Sequence, residues 1–578
     1  MGDLPEGISG LTDPITPLRR TGAVPLGSGS MSEWNFADVW EVVAQARPDA
    51  PALSQGGRRF TWAQLDRRAD GVAGALLDAG LGRQAKVAQY LYNCPEYIES
   101  VFASFKAGMV PVNTNYRYTE EELTYLWDNA DVEAVVFHGS FAERADKVRA
   151  SLPGITCWLW VDDGEGSCPD WATPFEAAAA SPPPGRAAGP WGRSGDDLIL
   201  VYTGGTTGMP KGVMWRQDDL FAILNRTAEV RYPEGGGLES VRSTLGATSK
   251  HPPARLLPGP PLMHGTGLFT AMSVLDSAGS VVLLEGHHFD VERLLDTIVS
   301  ERVTELSIVG DAFAKPVLAA LDAQPDRWDI SSLWLMLSSG VMWSAAVKDG
   351  LLRHHPKLLM VDMLGSTEAI GLARSTSKSG QTASTAGFHL GPDTRVIDDH
   401  GSDVQPGSGV VGMVALRGRG STGYYKDPDK TAATFRSING ERWAVPGDFA
   451  TVEADGSVRL LGRGAVCINT GGEKVFPEEV EEVLKRHPAV HDAVVVGVPD
   501  DRFGESVAAV VEFHTHAARP DDPELSSFAH ASLAGYKVPR HVVAVESIGR
   551  APNGKVDYKR LRAVAADAVS AVSLRSQG

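Results

Sequence analysis

DLILVYTGGTTGMPKG, residues 197–212, decides how this chain is read. Its first seven residues form an apolar run with β-branched members, and the run predicts a strand over 197–203. That strand leads without a break into Thr203, Gly204, Gly205, Thr206, Thr207, Gly208, Met209, Pro210, Lys211 and Gly212. The glycines let backbone approach an anion closely, the threonines add hydroxyl donors, and Lys211 adds a cation suited to phosphate. It is not a Walker A loop, because Met209 and Pro210 separate the last loop glycine from the lysine and Gly212 follows it. The plain alternative is a glycine-rich hairpin without a ligand. Several hydroxyls and one lysine in a single loop favour phosphate.

Outward from that loop, helix and strand patterns alternate. Strands are expected over 86–92, 109–114, 132–138, 280–285, 304–309, 333–338 and 358–363. Helices are expected over 95–107, 119–129, 290–302, 312–322 and 344–354. Such alternation predicts an α/β architecture with largely parallel sheets covered by helices. After about residue 385 the texture changes, and Gly, Pro and Asp recur every eight to ten residues up to 462, which reads as a small β subdomain. Residues 465–560 read as a compact α+β lid, with helices over 477–487 and 523–534 and strands over 492–498, 506–513 and 541–546. The expected organisation is a loose extension over 1–30, a large domain over 31–463 with the β subdomain at about 385–462, and a mobile C-terminal lid over 464–578. Two stretches, 179–195 and 233–256, read as flexible surface because they are rich in Gly, Pro and Ser.

Composition narrows the function. The chain of 578 residues carries a formal net charge of −18, which argues against a general affinity for nucleic acid or anionic membrane. Its four cysteines, Cys94, Cys157, Cys168 and Cys467, have no metal-finger spacing and suggest a reduced, cytoplasmic setting. No stretch reads as a signal peptide or an integral membrane segment.

The loop TGGTTGMPKG resembles the signature phosphate loop of the adenylate-forming superfamily, which includes acyl-CoA synthetases, peptide-synthetase adenylation domains and beetle luciferase. Further motifs follow in the family's order: PLMHGTG from Pro261 with His264, LGSTE over 364–368, Gly447-Asp448, Gly462-Arg463, Gly471-Gly472-Glu473 with Pro477-Glu-Glu-Val480, and Pro552-Asn-Gly-Lys555. The strings PGPPLMHG, SIVGDAFAKP and TGGTTGMPKGVMWR are similar to actinobacterial acyl-CoA synthetases of the branch that includes sterol side-chain CoA ligases.

The resemblance implies ATP, Mg²⁺ and CoA as cofactors and a small-molecule carboxylic acid as substrate; a homodimer stays open. It implies an ATP/AMP site of 203–208, Lys211, Gly340, Asp362, Leu364, Gly365, Ser366, Thr367, Glu368, Asp448, Arg463 and Lys555. Glu368, a hard oxygen ligand, and Thr207 would hold the metal. Asp448 would accept from the ribose hydroxyls, Asp362 from the adenine amino group, and Arg463 would hold ribose or phosphate oxygens. Lys555, Lys211, Glu368 and His264 carry the catalytic roles, with His264 gating the acyl site. The acyl pocket would include His264, Gly265, Asp311 and Val341, Asp311 being open to a structural role. Gly471, Gly472 and Glu473 would meet CoA, and Ala465 would be the hinge. Two positions depart from the family pattern: Leu364 replaces the usual aromatic against adenine, and Ala465 the usual Asp or Lys. No carboxylate follows His264 to hold a substrate amine, so an apolar acid is favoured. The alternative is an acyl-AMP ligase that loads a carrier protein.

Overall fold

The computed structural model describes residues 34–576 apart from 204–208, 229, 248–252, 342, 382–384, 386, 464–465, 471–472, 501–503, 516, 534, 552–553 and 555. The expected N-terminal extension therefore lies outside the described residues. Among them the strands form three sheets.

The first sheet has a parallel half of Pro51–Gln55, Ser280–Leu283, Arg255–Pro258, Glu305–Ile308, Leu335–Ser339 and Leu359–Leu364, in that spatial order. It turns antiparallel at Ala373–Ser377 and continues through Gly387–Leu390 into the β-rich segment that ends with Asp448–Val452 and Val458–Arg463. The second sheet places Leu198–Thr203, Val110–Asn113, Lys86–Tyr90, Val132–His138 and Cys157–Val161 side by side and parallel. The third sheet uses only strands beyond residue 467, with the long pair Val490–Asp500 and Gly504–Phe513 at its centre.

The apolar strands are covered by helices, as parallel sheets require. Pro95–Lys106 has all twelve residues buried, because it is sandwiched between a sheet and the helices Phe36–Ala46 and Trp62–Asp78. Trp62–Asp78 opens with a capping box, Thr61 and Gln64 satisfying each other's backbone N–H. Helix Gly265–Asp276 carries its apolar side into the large core that draws residues from both sheets.

Both stretches expected to be flexible are anchored. In 179–195, Arg193 donates to Asp38 at 2.9 Å, to Glu41 at 2.8 Å and to the Lys106 carbonyl at 2.9 Å, and Trp191 donates to the Ala107 carbonyl at 3.0 Å. In 233–256 a helix, Gly237–Ala247, buries Val241 and Leu245 against Phe36–Ala46, and a strand starts at Arg255. In 179–195 the few anchoring residues are spaced through small ones and distant partners supply the order, whereas Leu238, Val241 and Leu245 at i, i+3 and i+7 carry a short helical period.

Candidate adenylate-forming site

Open α/β sheets bind ligands beyond the carboxyl ends of their strands. Here those ends carry the expected motifs. Thr203 ends its strand, Gly340 follows Ser339, and Leu364 ends the strand that delivers Gly365 to Glu368. Two buried side chains align the elements. Asn113 accepts from the Tyr202 backbone N–H at 2.6 Å and donates to the carbonyls of Tyr202 at 2.9 Å and Met263 at 2.6 Å. It thereby ties the strand before the phosphate loop to the residue before His264. Trp215, fully buried, donates its indole N–H to the Thr367 carbonyl at 2.8 Å. Gly265 faces the same turn: a Cβ there would lie 3.6 Å from Thr367 Oγ1. His264 is the N-cap position of the helix that follows it.

The strands on either side of the expected phosphate loop pair with each other. Leu198–Thr203 pairs antiparallel with Lys211–Arg216, and Thr203 is the register partner of Lys211. Residues 204–208, Thr207 among them, lie outside the described residues. Lys211 is ion-paired with Asp427, and that contact holds the Asp427 carboxyl below its ordinary range. Asp427 also accepts from the Lys430 N–H at 2.9 Å and so caps helix Pro428–Thr434.

Glu368 is held by the same segment. Tyr424 donates its hydroxyl to Glu368 Oε1 at 2.7 Å, and Ser421 donates to the Glu368 carbonyl at 2.9 Å. Gly423 and Tyr424 pair with Met214 and Val213 on the hairpin strand. Residues 421–427 thus connect the cation and the carboxylate of the site. Sequence reasoning missed them: Asp before Pro signals a helix N-cap, but nothing local says that its other oxygen meets Lys211. In the turn 366–369, Ser366 and Ala369 exchange backbone hydrogen bonds, and the buried Ser366 Oγ has no hydrogen-bond partner among the described residues. A hard carboxylate beside an unsatisfied hydroxyl fits a phosphate-bridging cation.

Two of the expected site residues have partners within the scaffold. Asp311 accepts from Ser344 N–H at 3.0 Å and Ser344 Oγ–H at 3.1 Å, which fixes the start of helix Ala345–His354. That contact fits the structural role left open for it. Asp362 is buried, with Oδ2 3.5 Å from Lys348 Nζ, and desolvation pushes its carboxyl up to about 6 against the pull of that lysine. Its neighbour is a buried ammonium. Leu364 is buried in the large core.

Asp448, expected to meet ribose, is buried, follows Gly447 at φ 98°, and is the register partner of Arg463 across two antiparallel strands. The side chains of Arg463 and Glu473 lie outside the described set, as do Ala465, Gly471, Gly472 and Lys555. Gly554 is described. A Cβ on it would lie 3.0 Å from Ala312 Cβ and 3.3 Å from Val309 and Val341, so the lid loop rests on the expected acyl wall. Among the described residues, no helix is long and apolar enough to cross a membrane.

The fold is shared by a known class. Residues 40–425 match the AMP-binding enzyme family and residues 479–555 match the AMP-binding enzyme C-terminal domain. The chain belongs to the AMP-binding enzyme family. It is 42% identical, over 91% of this chain and 95% of the relative, to the medium/long-chain-fatty-acid–CoA/3-oxocholest-4-en-26-oate–CoA ligase of Mycobacterium marinum. It is 40% identical to the 3-oxocholest-4-en-26-oate–CoA ligase of Rhodococcus rhodochrous, again over 91% and 95%. The crystal structure of ATP-bound MatB from Rhodopseudomonas palustris superposes with a TM-score of 0.75 at 27% identity, covering 92% of this chain and 99% of that one.

Proposed function

We propose that the protein is an AMP-forming acid–CoA ligase whose acid is apolar: a medium or long fatty acid or a steroid side-chain acid. The observation that carries the reading is the hold of one segment, 421–427, on both the expected phosphate lysine and the expected metal carboxylate. The hairpin lysine Lys211 and the carboxylate Glu368 share one clamp, and the lid loop at Gly554 reaches the wall of Val309, Ala312 and Val341. The relatives from Mycobacterium marinum and Rhodococcus rhodochrous supply the substrate class.

The chemistry has two steps. A substrate carboxylate oxygen attacks the α-phosphorus of ATP, the bond to the β-phosphate oxygen breaks, and pyrophosphate leaves. The thiol of CoA then attacks the acyl carbonyl, and AMP departs as the thioester forms. Lys211 would offset charge on the phosphates, and preorganised charge of this kind acts strongly in a water-poor crevice. Asp448 and Arg463 would hold the ribose. Lys555 would reach the carboxylate oxygen and the α-phosphate in the first step. Glu368, with Thr207, would hold Mg²⁺, which neutralises phosphate charge when bound. Gly471, Gly472 and Glu473 would meet CoA once the lid has turned about Ala465, a hinge motion. We place the enzyme in the cytoplasm.

The test is thioester formation with ATP, Mg²⁺ and CoA across short, medium and long fatty acids, aryl acids and 3-oxocholest-4-en-26-oate, with pyrophosphate followed in parallel. Thioester is expected with the apolar acids. Pyrophosphate release without thioester would replace this reading by a ligase that loads a carrier protein.

A further inference from the structure

Resting on the acid–CoA ligase reading, we infer that Arg550 and Asp492 are positioning residues for the adenylation step alone, their ion pair holding the lid turn that leads into Lys555. Arg550 uses all three arms of its guanidinium. Nε donates to Asp492 Oδ2 at 2.6 Å, Nη2 donates to Oδ1 at 2.9 Å, and Nη1 donates to the Gly554 carbonyl at 3.1 Å. The first two bonds form a bidentate fork, which fixes the guanidinium plane and therefore the direction of the third. That third bond ends on the peptide that joins Gly554 to Lys555.

The turn is closed locally by a 2.8 Å bond from Gly554 N–H to the Ala551 carbonyl, with Gly554 at φ 71°. It is pressed against the large domain so closely that a Cβ at 554 would sit 3.0 Å from Ala312. The other end of the fork is anchored near the same interface. His491, next to Asp492, accepts through its carbonyl from Lys315 Nζ at 3.5 Å, and Lys315 lies on helix Asp311–Ala323 of the large domain. Both partners are largely buried, at 20% and 16% side-chain exposure, so the pair is shielded from competing water. Lys485 adds a second cation 3.4 Å from Asp492. Together they hold the Asp492 carboxyl down at about 2, and the fork keeps its charge throughout the working pH range.

The third arm of Arg550 is oriented toward the turn that contacts Val309 and Val341, the wall at which the acid is activated. The thioester step uses a different lid segment, 471–473, so the two half-reactions separate the roles.

The experiment uses the full chain with Arg550→Gln, Arg550→Lys and Asp492→Asn. Dodecanoyl-AMP formation is measured from dodecanoate and ATP. The second step is measured separately from synthetic dodecanoyl-AMP and CoA, with thermal unfolding alongside. Adenylation is expected to fall at least about tenfold in Arg550→Gln, with the thioester step within about twofold of wild type. Arg550→Lys, which keeps charge but not the fork, should recover adenylation only in part, and it carries the test if Arg550→Gln does not fold. Unchanged adenylation in both arginine variants, or parallel loss in the two half-reactions, would overturn the inference. A wild-type chain that forms no adenylate with any acid would remove the ligase reading and this inference with it, whereas a defect confined to variants of an active enzyme speaks to the pair alone.

Discussion

Two lysines of the large domain are both tied to carboxylates, and they are built for opposite purposes. Lys106, at the end of helix Pro95–Lys106, has only 1% of its side chain exposed and meets Glu41 at 2.9 Å, Asp66 at 2.7 Å and Asp70 at 2.8 Å. Lys211, at the foot of the phosphate hairpin, keeps 42% of its side chain exposed and meets Asp427. A buried ammonium with three carboxylates has every proton engaged and nothing to offer a ligand. A half-exposed ammonium with one partner can exchange that partner for a phosphate at small cost, because exposed pairs are individually weak. The comparison distinguishes a lysine that organises the scaffold from one that serves the crevice.

The largest effect expected from breaking this comparison is at Lys106. Lys106→Met leaves three largely buried carboxylates without their shared cation. It should lower unfolding stability by about 3–5 kcal/mol, read from denaturant midpoints, with kcat per folded molecule little changed. A loss below about 1 kcal/mol would show the cluster to be incidental. Next comes Lys211→Ala. It should reduce adenylate formation by about 10²-fold or more, as the loss of one preorganised charge does, while the melting temperature stays close to wild type. Equal losses of stability in the two variants would erase the distinction drawn here.

The smallest effect sharpens the inside of the Lys106 cluster. Burial raises the Asp66 carboxyl above its ordinary range, although Lys106 pulls it down. Glu41 is lowered: burial opposes its charge, but Arg193 and Lys106 together outweigh burial. The signs differ accordingly. Asp66 gains a proton earlier in the folded state than in the unfolded chain, so its contribution to stability grows as pH falls through its raised value toward 3.8. Glu41 contributes fully above its unfolded value of 4.5, and that contribution is lost as pH falls through its lowered one. Asp66→Asn should therefore change stability by less than about 1 kcal/mol at pH 7 and remove part of the gain on acidification. Unfolding midpoints from pH 7 to 4 test this, and a loss from Asp66→Asn as large as that from Glu41→Gln would contradict it.

Much of the scaffold was legible because its elements are long and periodic. The strand expected at 132–138 is Val132–His138, and the helix expected at 119–129 is Glu120–Asn129, started by a Thr119–Glu122 capping box. The helices expected over 95–107, 290–302, 312–322 and 344–354 also fell within a few residues of expectation, for the same reason. Where the reading failed, the deciding contact came from far away. Arg193 looks like one charge in a Gly/Pro stretch until Asp38 and Glu41 meet it, more than 150 positions earlier. The partners of Asp362 and Asp311, Lys348 and Ser344, are equally absent from the residues beside them in sequence.

By itself, the sequence determined the family and the α/β class. Glycine-rich loops, apolar periodicity and the residue types of the motifs are local properties, and the motifs in their order leave little freedom. Only the tertiary structure decided which charges are committed and which stay available. That difference depends on burial and on partners brought from distant segments: Tyr424 and Asp427 to Glu368 and Lys211, Asn113 to the strand before the phosphate loop, and Arg550 to Asp492 and the Gly554 carbonyl. The physical reason is that the strength of a charge's interaction is set by the solvent it has lost and the neighbours it has gained, and neither is written in the residues beside it.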